Sequence, residues 1–152
     1  MSRSALLLLA LVWTVGCARP VTSQALGLEY QPPSGVQLSS EEVGPPAVAH
    51  FEGGLEMRSV PGKPPALESP PEVVLAAAGV PVPGTVVNTA QGNLLAGPVA
   101  RYEFQQGDAW TFAYFLPRAD RFLLITFTAP ERDYGPRSSR LERSLSTLKL
   151  LR

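Results

Sequence analysis

The chain has 152 residues, with 13 Lys+Arg, 13 Asp+Glu, one His and one Cys, and is 45% hydrophobic. That is enough apolar chain to bury the core of one globular domain, and too much for a disordered one. The lone Cys excludes an internal disulfide framework, the lone His excludes a two-histidine metal site, and zero net charge with 8% aromatics offers nothing to nucleic acid.

Residues 1–16 read MSRSALLLLALVWTVG. A single early charge, Arg3, precedes an apolar run too short to remain as a bilayer-spanning helix, and small residues follow; this is the three-part pattern of an export signal. The only Cys, Cys17, stands where the run stops, directly after Thr14, Val15 and Gly16. The arrangement resembles the bacterial lipobox, with Thr14 where the commonest pattern has Leu. The resemblance implies that the Cys17 thiol takes a diacylglycerol, that a dedicated peptidase cuts after Gly16, and that the new amino group is acylated in turn. Two or more acyl chains hold a protein on a membrane where one holds it only marginally. Ala18, in place of an Asp, follows Cys17, and among enterobacterial lipoproteins this points to the periplasmic face of the outer membrane. The competing reading is an ordinary signal-peptidase cut after Ala18, which would release the chain. The expected division is a signal peptide at 1–16, a lipidated Cys with a polar tether at 17–24, and one domain at 25–152.

Twelve of the 16 prolines lie between Pro20 and Pro83, which confines the first half to short strands and loops. Residues 26–30 read as a first strand stopped by Pro32 and Pro33, and the carboxylate pair Glu41-Glu42 reads as part of a polar loop. Residues 47–51 and 55–60 flank Glu52-Gly53-Gly54, a hairpin signal. Residues 61–71 (PGKPPALESPP) read as a loop. A short helix follows: Ser69 suits the N-cap, Pro70 the first helical position, Glu72 completes a capping box, and Gly79 ends it. Residues 85–89 and 93–95 suggest a second hairpin around Ala90-Gln91-Gly92.

The second half carries the clearest pattern. In 99–105, Ala100, Tyr102 and Phe104 alternate with Arg101, Glu103 and Gln105, so one face is buried. In 109–116, Trp110, Phe112, Tyr114 and Leu116 share one face, with Thr111, Ala113 and Phe115 on the other. Residues 121–129 (RFLLITFTA) are apolar on both faces. Three such strands with tight turns form an antiparallel meander whose last two members are central and need cover on both sides. Ser139-Arg140-Leu141-Glu142 offers a second capping box, and Leu141, Leu145 and Leu148 recur at helical spacing, so a closing helix should lie across the meander.

The expected class is therefore α+β, an antiparallel sheet with a C-terminal three-strand meander covered by helices. The order of elements over residues 26–151, and above all YFLPRADRFLLITFTAP at 114–130 with the Arg/Ser/Leu-rich segment after it, resembles the PsbP-like fold, an α/β/α sandwich. Its members include a photosystem extrinsic protein, a Ran-binding protein, the DcrB-like phage-adsorption proteins and bacterial lipoproteins. They share no catalytic centre, so the resemblance implies a fold and no activity.

Enzyme motifs are absent from the sequence: there is no G-x-S-x-G elbow, P-loop or dinucleotide glycine pattern. His50, with Glu52 and Glu56 nearby, could make a metal site or a general base, but neither spacing is diagnostic, and a hydrogen-bonded histidine near a strand end is the plainer reading. Residues 118–152 hold eight Lys/Arg against Asp120, Glu131, Asp133 and Glu142. They could face anionic headgroups or an acidic partner, or be an ordinary solvated face. The expectation is a lipid-anchored cell-envelope protein without catalysis or cofactor, attached through Cys17 and acting as a binding or accessory module for an envelope protein. The alternative is a small-ligand carrier with a pocket between sheet and helices.

Overall fold

The computed structural model describes residues 19–152; Cys17 and the export segment lie outside the described residues. In chain order the elements are β1 (Val21–Ser23), β2 (Leu28–Tyr30), β3 (Leu38–Glu42), β4 (Ala47–Phe51), β5 (Leu55–Pro61), α1 (Pro71–Ala77), β6 (Thr85–Leu94), β7 (Gly97–Gln106), β8 (Ala109–Pro117), β9 (Arg121–Pro130) and α2 (Glu131–Ser144). A 3-10 turn (Leu145–Thr147) and β10 (Lys149–Leu150) complete them. Seven strands form one sheet in the order β3-β4-β5-β9-β8-β7-β6, antiparallel at each junction, and β1-β2-β10 form a small second sheet.

The alternation in β8 and β9 makes this a three-layer molecule. Phe112, Leu116, Ile125 and Phe127 point to one side, where Leu141, Leu145 and Leu148 meet them together with Leu28 and Tyr30 of the small sheet. Ala113, Phe115 and Leu124 point to the other side, where α1 covers them with Val74, Leu75 and Ala78. Phe112 and Phe127 lie 5.4 Å apart, and Phe115 meets Phe122 edge-on at 5.3 Å, within the favoured range for aromatic pairs. The expected class holds: an α+β fold whose meander, with β8 and β9 central, is covered on both faces.

Several local expectations are corrected. The segment 85–94 is one continuous strand, because Gly92 pairs with Val99 and the chain reverses three residues later, at Leu95-Ala96. Glu41 and Glu42 belong to strand β3 and not to a loop. Part of the segment read as a tether is folded, since Val21–Ser23 pairs with β2. Neither capping box is used. Pro70 caps α1 without a side-chain bond, and the Ser69 carbonyl accepts the Tyr102 hydroxyl instead. Gly79 does end α1, at φ +69° with its N–H on the Ala76 carbonyl.

The closing helix begins eight residues before the second box, directly after Pro130. A proline cannot continue a strand ladder, but its extended backbone suits the residue before a helix. Glu131 and Asp133 then place negative charge where the helix dipole favours it. Ser139 is already inside the helix, so its hydroxyl turns back onto the Gly135 carbonyl. Leu141, Leu145 and Leu148 are all buried as their spacing requires, although the helix tightens to 3-10 form at Leu145.

Candidate functional site

One face of the large sheet is half covered. Helix α1 packs over β7, β8 and the start of β9, where the floor is aromatic and aliphatic. Beyond its reach the same face turns polar, and the register decides which groups meet. His50 of β4 lies opposite Glu56 of β5, Glu56 opposite Thr126 of β9, and Thr128 opposite Thr111 of β8. Opposed residues in an antiparallel pair point to the same side, so these side chains form one strip across four strands.

The strip is electrically ordered. The His50 ring has Nδ1 3.4 Å from a Glu56 oxygen and Nε2 3.5 Å from a Glu42 oxygen. The second Glu56 oxygen accepts a 2.8 Å bond from the Arg58 guanidinium. Thr111 and Thr128 share a 2.8 Å hydroxyl bond. Negative, cationic-when-protonated, negative and positive groups therefore follow one another from Glu42 to Arg58. At its Arg58 end the strip runs into a groove of about 540 Å³, whose far wall is Leu75 and the Val80–Pro83 segment after α1. The Arg58 Nε–H is buried there without a hydrogen-bond partner.

Of the residues singled out from sequence, His50 and Glu56 come together. Glu52 does not join them: it sits in the β4–β5 turn, where its N–H donates to the Gln37 carbonyl. Its expected place is taken by Glu42, which the sequence pattern puts in a polar loop. The hidden signal was the register, since LSSEE paired against AVAHF brings Glu42 and His50 to one face. Among the described residues no three His, Cys, Asp or Glu side chains converge to hold a metal. Both imidazole nitrogens face carboxylates, so the ring belongs to the charge array rather than to a hydroxyl nucleophile.

A second polar cluster lies beneath α2 on the opposite face. Arg101 donates from Nε to Glu142 at 2.5 Å and from a terminal nitrogen to Glu103 at 3.0 Å. The Tyr114 hydroxyl donates to the same Glu142 oxygen at 2.7 Å, and that of Tyr134 to Glu103 at 2.6 Å. Burial works against the Arg101 charge, but the bonds and charges of Glu142 and then Glu103 overcome it and hold the guanidinium above its ordinary range. Burial also raises Tyr114 and Tyr134, helped by Glu142 in one case and by Glu103 in the other. Sequence alternation assigned Arg101 and Glu103 to solvent, whereas α2 covers them. The cluster ties helix to sheet, and every member is spent on another member.

The basic C-terminal segment is partly structural as well: Arg137 donates to the Gly53 carbonyl and Arg140 to that of Ser34, stitching α2 to two loops. No helix among the described residues is long and apolar enough to cross a membrane.

No family model matches the chain, and no curated protein sequence does. The fold does have solved counterparts. A crystal structure from Bacteroides thetaiotaomicron VPI-5482 superposes with a TM-score of 0.57 at 12% identity, over 90% of this chain and 49% of that one, so this chain spans about half the length of that protein. The solution structure of cyanobacterial PsbP (CyanoP) from Synechocystis sp. PCC 6803 superposes with a TM-score of 0.55 at 12% identity, over 90% of this chain and 95% of the other. At such identity the likeness concerns architecture alone: the chain has a PsbP-like fold.

Proposed function

We propose that this protein is a non-catalytic binding module of a bacterial cell envelope, held at a membrane by lipid on Cys17. It presents the uncovered half of its large sheet to an envelope protein. The observation that carries the reading is the strip from Glu42 through His50 and Glu56 to Arg58, laid on an open sheet face while both cores behind and beside it are filled. Alternating charges on a rigid surface favour a partner with the complementary order and disfavour others, which is specificity without chemistry. Anchoring raises the local concentration of such a module, so modest affinity suffices. The outer membrane is the proposed site, from the Ala18 that follows Cys17.

The first test is mass spectrometry of the mature N-terminus with membrane fractionation of wild type and Cys17→Ser. Wild type should carry acyl mass on Cys17 and sediment with membranes, and the variant should be released. An unmodified, freely soluble wild type would overturn the anchoring. The second test is a cross-linked pull-down from solubilised envelopes. Glu42→Lys, at a side chain 67% exposed, should lose the recovered partner while keeping the wild-type circular dichroism.

A carrier role for a small ligand is the second reading, favoured by the groove of about 540 Å³ between the sheet and the segment after α1. Density for a co-purifying small molecule, or its detection by native mass spectrometry, would support it over protein binding.

A further inference from the structure

The large sheet ends in two very different edges. At one edge β3 is five residues long, ends in Glu41 and Glu42, and shifts register between Leu38 and Ser40. Short length, charge and irregularity are the devices by which edge strands avoid pairing with other chains. At the other edge β6 runs ten residues, TVVNTAQGNL, without a charged residue or a proline. All of it except Val86 and Leu94 is exposed, and it pairs with β7 alone. Its one irregularity is a register shift between Val86 and Asn88, which leaves 88–94 regular. Among the described residues no loop or side chain hydrogen-bonds to its outer side. Two exposed apolar side chains lie toward its ends: Val87, 45% exposed, and Leu95, 77% exposed.

We infer that β6 is a dimerisation edge, on which a second copy of this chain lays its own β6 antiparallel across a two-fold axis. The seven-stranded sheet thereby continues through the interface. A strand paired with its own copy meets only the side chains it carries itself, so charges of one sign would repel; β6 carries no charge at any position. The pleat requires opposed residues to share a face, which a two-fold axis through Ala90 satisfies. Thr89 then meets Gln91, and Asn88 meets Gly92, each pair neutral. About the same axis the two ends of the second copy's strand lie beside Val87 and Leu95 respectively, so both apolar groups gain cover from a single interface. Pairing β6 with β3 of another copy would instead give an open filament, and it would press the neutral strand onto an acidic edge half its length. The strip around His50 lies near the opposite edge, so the dimer leaves it free on both copies.

The test uses sedimentation velocity of the full chain in detergent, with hydrogen exchange read by mass spectrometry. Wild type should sediment as a concentration-dependent dimer, and amides of 85–94 should exchange more slowly as concentration rises. Thr89→Lys/Gln91→Lys places lysine opposite lysine across the axis. It should weaken the dimer by about tenfold or more while the circular dichroism is unchanged. Thr89→Glu/Gln91→Lys places glutamate opposite lysine and should restore it, which separates interface from folding effects. A wild type that stays monomeric at hundreds of micromolar overturns the inference and leaves the edge to an extended segment of another protein. A dimer indifferent to both variants overturns it equally.

Discussion

Single side chains in this molecule are mostly legible by type and illegible by partner. All four tyrosines show it. Their aromatic rings mark them for the interior, but nothing along the chain says that Tyr114 and Tyr134 will each find a glutamate, or that Tyr30 will share its hydroxyl with Ser144. The consequence is measurable. Burial pushes Tyr30 up to about 12, partly offset by the Ser144 bond, and pushes Tyr102 to about 12; Tyr114 and Tyr134 are raised further. A raised tyrosine stabilises the fold fully below its unfolded value of 10.0, and that stability is lost as pH climbs past 10 toward the folded values. Phenolate absorbance should therefore stay silent at pH 10, where a free tyrosine is half ionised, and then rise together with unfolding. A smooth titration centred near 10 in the folded protein would contradict the burial. His50 follows the same rule of hidden partners. Its neighbour Glu56 is six residues away and was nameable, while Glu42 reaches it only across β3 and β4.

Elements were readable where one physical signal stood alone. The meander declared itself because period-two alternation in β7 and β8, and unbroken apolarity in β9, have no helical explanation. Strand β3 escaped because LSSEE has no apolar face: it is held by backbone pairing to β4 rather than by burial. The sequence pattern splits β6 in two because Gly92 reads as a turn, yet the strand's exposed edge tolerates a glycine. The first eight residues of α2 include Gly135 and Pro136, residues of poor helical propensity, and carry no capping box to mark the start. Here each sits on the exposed side of the helix, where tertiary packing of Tyr134, Ser138 and Leu141 outweighs their poor propensity. Gly135 has no positive φ, and a Cβ there would meet nothing within 4 Å. Gly135→Ala should therefore raise stability by about 1 kcal/mol, seen as a higher urea midpoint with an unchanged slope. A loss of stability would mean that the helix depends on the glycine.

At the scale of the whole molecule, the sheet is the shared wall of two cores. Leu75 reaches it from α1 and Leu145 from the 3-10 turn, both at most 1% exposed and on opposite sides. Because β8 and β9 contribute alternate residues to both cores, neither can loosen alone. Leu75→Ala and Leu145→Ala should each cost about 2–5 kcal/mol and lower one common calorimetric transition. Two separable transitions would show that the layers fold independently.

The small sheet adds a condition on time. Strand β2 lies between β1, just before it in the chain, and β10, the last strand in chain order, with Leu150 opposite Leu28. Leu148, wholly buried, closes the same region. During synthesis Leu28 and Tyr30 must therefore wait, uncovered, until the chain has been made as far as β10 before the layer above them can shut. A chain in which β10 has not yet been made would remain loose and sticky in this layer, and would become rigid only once β10 pairs with β2.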